Sequence, residues 1–437
     1  MNPISDAWPI WLGRSTVAAI MLAAISIESA GAQDATATHI NLPQALQLAL
    51  DNNPTIEAAN AELRAIEAEA RQVGLWDNPT LSADFEDFGG DRRAIGDADT
   101  TLSVRQTIPM GGDRARARDV TTAWAHAARA DLAQTRSDLL ASTAQAYIAT
   151  FAASETYTVR LELLELANSS SAAILARVEA GRASPIERSR AEILVGLATI
   201  AARDAENAQR EARNRLYAIW SGIPVDVALE SPLQSLDVIN YRTAAPADWI
   251  SNNPELVSLR AVTLARSQEI RRERAEAIPD LTVGAGWRRY GGTDESAFIA
   301  TVEMPIPVLN RNQGGVAAAA SRENGARFDE DAARRTLMAR FAAAAGRLER
   351  ARTTFSLLDE NILPATQTAL DGAQFAYREG ALDVLNLLDI QRSYFDARIN
   401  LIAARAELAS AAIELDALAG TPQLNQLAAP NSTEAAQ

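Results

Sequence analysis

The sequence contains no cysteine and no lysine, so any chemistry must come from imidazole, thioether, hydroxyl, guanidinium or carboxylate groups. Outside residues 1–32 the possible soft or borderline metal ligands are His39, His126, Met110, Met304 and Met338. They are scattered, whereas a bound ion needs roughly three or four converging donors. No metal centre is therefore expected. The missing cysteine also excludes disulfides, thiol catalysis and a lipid-modified N-terminal cysteine. There is no HExxH pair, no phosphate loop and no nucleophile beside a base, so neither enzyme activity nor a cofactor is predicted. What remains is acid. The net charge is −15, and removing residues 1–32, which carry −1, leaves −14. Such a chain disfavours a nucleic-acid partner. Carboxylates along a wide passage would instead attract cations without coordinating them.

Polar residues and turn formers gather in two short stretches, EAGRASPIER and YREGALDVLNLLDIQ. In the first, Gly181 suits the left-handed position just past a helix, and Ser184, Pro185 and Glu187 form a capping box that opens the next one. In the second, Gly380 and Asp383 take the same two roles, with Tyr377 before them and Asn386 and Asp389 after them. Each stretch is thus the turn between two antiparallel helices. The helix entering the first runs from Asp113 to Glu179 with almost no breaker, roughly 100 Å at 1.5 Å per residue. That is too long for an ordinary globular domain. Val120, Trp124, Ala128, Leu132, Leu139, Tyr147 and Phe151 trace its apolar stripe. Its counterpart covers 315–379 with Pro364 inside, which predicts a kink. The return helices cover 184–220 and 383–418.

The two stretches belong to a tandem repeat. Asn52-Asn53-Pro54 returns as Asn252-Asn253-Pro254, Pro79 as Pro279, Ile108-Pro109 as Ile306-Pro307, and Gly222-Ile223-Pro224 as Gly420-Thr421-Pro422. The offsets stay between 198 and 200. The repeats cover 33–224 and 247–422, joined by a linker at 225–246, and the tail 423–437 is read as disordered. Each repeat runs helix, hairpin, long helix, turn, helix. The first helix opens on Asn53 as N-cap with Pro54 behind it. Its stripe of Ile56, Ala59, Leu63, Ile66, Ala70 and Val73 has coiled-coil spacing.

The hairpins, 79–108 and 279–306, are where the helical pattern stops. Leu81, Ala83 and Phe85 alternate with polar residues, and Leu102 and Val104 repeat the pattern on the return. In the second hairpin Leu281, Val283, Ala285 and Trp287 alternate with Thr282, Gly284, Gly286 and Arg288, and Phe298, Ala300 and Val302 lie on the return strand. Strands of about nine to eleven residues match a tilted membrane strand. Two hairpins in a soluble α+β domain would show the same alternation. The N-terminus weighs on the choice: Arg14, an apolar run from Val17 to Ile27 and Ala30-Gly31-Ala32 read as a signal peptide, residues 1–32. If the strands enter lipid, four of them cannot close a barrel, and open edges in hydrocarbon cost several kcal/mol per unsatisfied group. The chain must then oligomerise. About eight strands leave little lumen, whereas three copies give twelve and room for a pore.

The motifs NPTLSADFEDFGG, QTIPMGGDRARA, VEMPIPVLNRNQGG and YREGALDVLNLLDIQRSYFDAR resemble the TolC-type outer-membrane efflux family, within it the heavy-metal branch that is CzcC- and CusC-like. The resemblance covers nearly all of the chain after the leader. It implies a mainly α fold with a membrane β part. It also implies a homotrimer whose twelve-stranded barrel sits in outer-membrane lipid and whose helices form a periplasmic tunnel. The partners it implies are a periplasmic adaptor protein and an inner-membrane pump of the resistance-nodulation-division class. Leu81, Phe85, Leu102, Val104, Leu281, Val283, Trp287, Phe298 and Val302 would face lipid. Gly181, Ser184, Gly380 and Asp383 would shape the tip that meets the adaptor. Asn386, Asp389 and Tyr377 fall on gate positions, and Glu187 on an acidic partner of the gate latch. Asn386 replaces a family acid and Leu382 a family arginine, which puts that latch in doubt. Glu187 also reads as the capping-box glutamate, and Asp389 as a solvated helix residue. The function implied is a passive duct exporting heavy-metal cations. Drug or protein export, and a soluble periplasmic coiled-coil scaffold, are the alternatives.

Overall fold

A computed structural model of the protein describes residues 39–87, 98–220, 228–231, 249–293, 295–420 and 422–429. The leader at 1–32, the hairpin loop at 88–97, most of the 225–246 segment, the Gly222-Ile223-Pro224 landmark and residues 430–437 lie outside the described residues.

In chain order the elements are β1 (His39–Ile40), α1 (Leu42–Asn52), α2 (Pro54–Gln72), β2 (Thr80–Glu86), β3 (Asp99–Ile108), α3 (Asp113–Glu179) and α4 (Pro185–Ile219). Then follow β4 (Ala228–Leu229), α5 (Pro254–Glu276), β5 (Leu281–Arg289), β6 (Ser296–Glu303), α6 (Gln313–Leu357), a π turn (Leu358–Ile362), α7 (Leu363–Arg378), α8 (Val384–Leu418) and α9 (Pro422–Leu427). The helix α1 is not anticipated from the repeat. It starts on a capping box in which Asn41 accepts from the Gln44 N–H and Gln44 accepts from the Asn41 N–H, both at 3.0 Å.

Packing makes a layer of long helices. Helix α3 lies between α4 and α8, and α6 and α7 pack on the other side of α8, giving the order α4, α3, α8, α6/α7. Two matching asparagines tie the helix ends together. Asn53 caps α2 by accepting from the Thr55 N–H and donates to the Ile219 carbonyl at 2.8 Å. Asn253 caps α5 by accepting from the Glu255 and Leu256 N–H groups and donates to the Leu418 carbonyl at 3.0 Å. The stripe on α2 keeps its direction: Ile56 is buried and Ala59, Leu63, Ile66 and Ala70 are half-buried, while Val73 is exposed. The main core gathers Leu42 and Leu46 of α1, Leu140 and Tyr147 of α3, Trp220 and Ile413. The Tyr147 hydroxyl lies 2.8 Å from the carbonyls of Ile40 and Glu230, anchoring the parallel β1–β4 pair. Burial pushes its pKa above the usual phenol range.

One expectation needs correction, and a second gains detail. The chain beyond Thr421 is not disordered throughout, because α9 docks with Leu424 and Ala428 in the main core. Its polar composition hid a remote cap: the Asp416 carboxylate, only 2% exposed, accepts the N–H groups of Gln423 and Leu424 at 3.0 and 3.1 Å. The long helix of the second repeat departs from α geometry just before Pro364. A π turn precedes the proline, which then sits in the first turn of α7, where its missing N–H costs little.

The four longer strands form one antiparallel sheet in the order β2-β3-β5-β6, so the two hairpins join through β3 and β5. They span seven to ten residues, and the two edge strands, β2 with seven and β6 with eight, fall below the expected range. Strands β2 and β6 are the unpaired edges of this sheet.

Candidate functional site

The site has two ends, the helical tip and the sheet. At the tip the same turn occurs twice. Gly181 has φ +66° and Gly380 φ +77°, the left-handed geometry in which a side chain is strained. The Arg182 N–H donates to the Arg177 carbonyl at 2.8 Å and the Gly181 N–H to Val178 at 3.0 Å. Their counterparts run from Ala381 to Ala376 at 2.8 Å and from Gly380 to Tyr377 at 3.1 Å. Both are the paired bonds that close a helix with a glycine just past its end.

The openings of the return helices differ. Ser184 accepts from the Glu187 N–H at 3.4 Å, and Glu187 accepts from the Ser184 N–H at 3.1 Å. Glu187 is thus held in the capping box. Asp383 accepts from the Asn386 N–H at 3.0 Å and from its side-chain amide at 2.7 Å. Asn386 and Asp389 are exposed on α8. Tyr377 is placed otherwise. Its ring packs with Ile174, Ala191 and Val384, the Arg177 guanidinium lies 4.9 Å from its centre, and its buried hydroxyl has no hydrogen-bond partner. The tip therefore brings Glu187 to Ser184 and Asn386 to Asp383, and sets Tyr377 between the two helical pairs.

Above the tip, α3, α4 and α8 enclose a groove of about 300 Å³ lined by Leu163, Leu194 and Leu388 with Arg160, Arg392 and Asp396. Gln391, 5% exposed, donates to the Ser170 hydroxyl at 3.4 Å beside it. Sequence reasoning missed both Arg177 and Gln391. The cue for Gln391 is an uncharged polar residue one turn before Phe395 in the α8 apolar stripe.

The sheet has two chemically distinct faces, as pleating requires. On one, Leu81 pairs with Val104, Leu102 with Trp287, Trp287 with Phe298 and Val283 with Val302. This face is bare: Phe298 is 92% exposed and Leu81 and Val302 74%, with Phe85, Leu102, Val104 and Trp287 also exposed. Leu281 and Val283, near the helical end, are half-buried. The other face is polar and encloses a space of about 270 Å³ lined by Asp84, Glu86, Arg105, Arg288 and Glu303 with threonines and Ser103. There Arg288 pairs with Glu86, and the Ser82 and Ser103 hydroxyls meet at 2.8 Å. Where α3 begins, Asp113 is raised above the usual carboxylate range by burial and by the nearby charges of Asp280 and Glu276, with Arg272 opposing.

Among the described residues no group of three or more histidines and carboxylates could hold a metal ion, and no helix is long and apolar enough to cross a membrane.

A bare apolar sheet face over a column of long helices defines a class, and sequence comparison identifies it. Residues 45–222 and 245–421 each match the model of the outer membrane efflux protein family, and the chain belongs to that family. Its members move substrates out and are not enzymes. Among curated relatives, the cobalt-zinc-cadmium resistance protein CzcC of Cupriavidus metallidurans is 26% identical over 87% of this chain and 90% of its own length. The nickel and cobalt resistance protein CnrC of the same organism is 30% identical over 69% of this chain and 73% of its own. The fold is that of solved outer-membrane channels. CusC superposes with a TM-score of 0.74 at 18% identity, covering 86% of this chain and 91% of CusC. The open-state MtrE channel of Neisseria gonorrhoeae gives 0.74 at 18%, covering 87% and 88%.

Proposed function

We propose that three copies of this chain close into a ring that serves as the outer-membrane exit duct of a tripartite efflux system. The observation that carries this reading is the four-strand sheet with a bare apolar face and two unpaired edges, which neither water nor lipid tolerates in a single chain. Three sheets give twelve strands, enough for an open lumen. Leu81, Phe85, Leu102, Val104, Leu281, Val283, Trp287, Phe298 and Val302 then face outer-membrane lipid, and the polar face, with Asp84, Glu86 and Glu303 beside Arg105 and Arg288, lines the pore. The helices extend roughly 100 Å into the periplasm. At their tip Gly181, Ser184, Gly380 and Asp383 shape the surface offered to a periplasmic adaptor, which links the duct to an inner-membrane pump of the resistance-nodulation-division class. Asn386 and Asp389 line the tip opening, while Tyr377 and Glu187 hold the turns that frame it.

The cargo is heavy-metal cations, a reading supported by the resistance proteins among the relatives. An organic cargo is the second reading, because a pyoverdine export outer membrane protein of Pseudomonas putida is also related, at 24% identity. The duct is tested by planar-bilayer recording of detergent-extracted protein, where steady single-channel steps are expected and silence would refute it. The cargo is tested by deleting the gene. Lost tolerance to cobalt, zinc or cadmium is expected, and unchanged tolerance with retained siderophore would favour the organic reading.

A further inference from the structure

The polar face of the sheet carries an arginine that no carboxylate balances. Among the described strand residues this face holds Asp84, Glu86, Asp99 and Glu303 against Arg105 and Arg288. Arg288 is paired with Glu86, and Asp99 accepts the Gly291 N–H at 3.0 Å. Arg105 has no carboxylate partner among the described residues. It is exposed, and its guanidinium donates to the Ser82 hydroxyl at 3.2 Å.

The neighbouring strand is shaped around this side chain. Arg105 faces Gly284 on β5, and Gly284 faces Thr301 on β6. A Cβ added at Gly284 would lie 2.9 Å from the Arg105 Cγ and collide with the Thr301 hydroxyl. Glycine weakens the interior of a strand and marks a place where another group approaches closely. Here the Arg105 stem takes that space, and its tip reaches Ser82 on the opposite neighbour, β2. The guanidinium is thus held on the polar side by its surroundings.

From this we infer that Arg105 is a specificity-determining residue of the passage: three copies of its guanidinium lower the cation preference set by the acids, so that divalent cations pass without being held. The inference rests on the ring closure proposed above and adds how the lumen treats charge. A passage must attract an ion enough to admit it and weakly enough to release it. Asp84 and Glu303 supply the attraction, and Arg105 limits it. Twelve strands about 4.8 Å apart and tilted about 40° make a wall roughly 12 Å in radius. That is close to the Debye length of about 10 Å at 0.1 M salt, so a wall charge is felt across the bore. Removing three positive charges at this distance should raise the cation-to-anion permeability ratio about threefold at about 0.1 M salt. At about 1 M, where the Debye length is about 3 Å, the change should vanish.

The test uses the full chain, extracted in detergent and inserted into planar bilayers, with the reversal potential read in potassium chloride gradients at the lower and the higher salt. Arg105→Gln should shift the potential toward cation selectivity at the lower salt only, and cobalt chloride added to one side should block this variant more than the parent. Arg105→Lys, which keeps the charge, should behave as the parent, and Glu303→Gln should shift the potential the other way. An Arg105→Gln channel with the parent's selectivity at the lower salt, a shift that persists at the higher salt, or equal cobalt block overturns the inference and leaves the duct standing. So does a lysine variant that shifts as far as the glutamine variant, which would assign the effect to the Ser82 contact instead of the charge. A parent protein silent in bilayers overturns the duct and the inference together.

Discussion

The two repeats use one plan with different amounts of tolerance built in. Each opens on an asparagine that caps one helix and grips the end of another, and each long helix ends on a left-handed glycine. They part in the middle. Helix α3 runs unbroken for 67 residues, whereas its counterpart is interrupted by the five-residue π turn between α6 and α7. They part again at the grips, because Asn253 is buried and makes three hydrogen bonds while Asn53 is half-buried and makes two. Conserving the plan while letting the register slip in one half is what a duplicated rod allows, since each stretch of helix packs mainly on its neighbours.

That contrast can be broken most severely by shortening α3. Deleting Asn168 rotates everything below it by about 100° and turns Ile174, now 1% exposed, away from Ala191 and Val384. A loss of about 3–5 kcal/mol is expected, as for emptying a core site, read as a lowered unfolding midpoint and protease cleavage near the tip. The grips come next. Asn253→Ala should cost about 2–3 kcal/mol and Asn53→Ala about 1, since only the former leaves buried donors and acceptors unpaired. Chemical unfolding of the two variants side by side checks the ranking, and equal losses would contradict it.

Asp416 offers a smaller, pH-dependent effect at the end of the second repeat. Burial raises its carboxyl above the usual range, against the two N–H groups that favour its charged form. The native state thus takes up this proton more readily than the unfolded chain. Its contribution to stability is greatest below the ordinary carboxylate range and declines as pH rises through the folded-state value. Asp416→Asn should flatten that part of the stability–pH curve, and a curve identical to the parent's would contradict the assignment. The smallest effect belongs to the π turn. It holds one residue more than an α-helical path, so deleting Glu360 should restore a continuous helix with its flanks in register. A change within about 0.5–1 kcal/mol is expected, and collapse comparable to the Asn168 deletion would show that the turn is required.

Features with a local signature were legible in the sequence. The glycine turns, the Ser184–Glu187 capping box and the alternating strands each depend on residues a few positions apart, and the sheet faces follow from alternation. The pairing of β3 with β5 was not legible, because it joins segments about two hundred residues apart and no short-range signal sets it. Helix α9 escaped for a similar reason: its cap, Asp416, lies on the preceding helix. Pro364 announced a break in the right region, but not that the chain would absorb it one turn earlier. At the tip, the family resemblance singled out Tyr377, but not the packing around it, because the Arg177 that covers its ring comes from the other repeat.

The claim that this sheet is one third of a shared barrel is tested most directly by the native mass of the detergent-extracted protein. The account predicts a single species of three chains. One chain per particle, soluble without detergent, would contradict it.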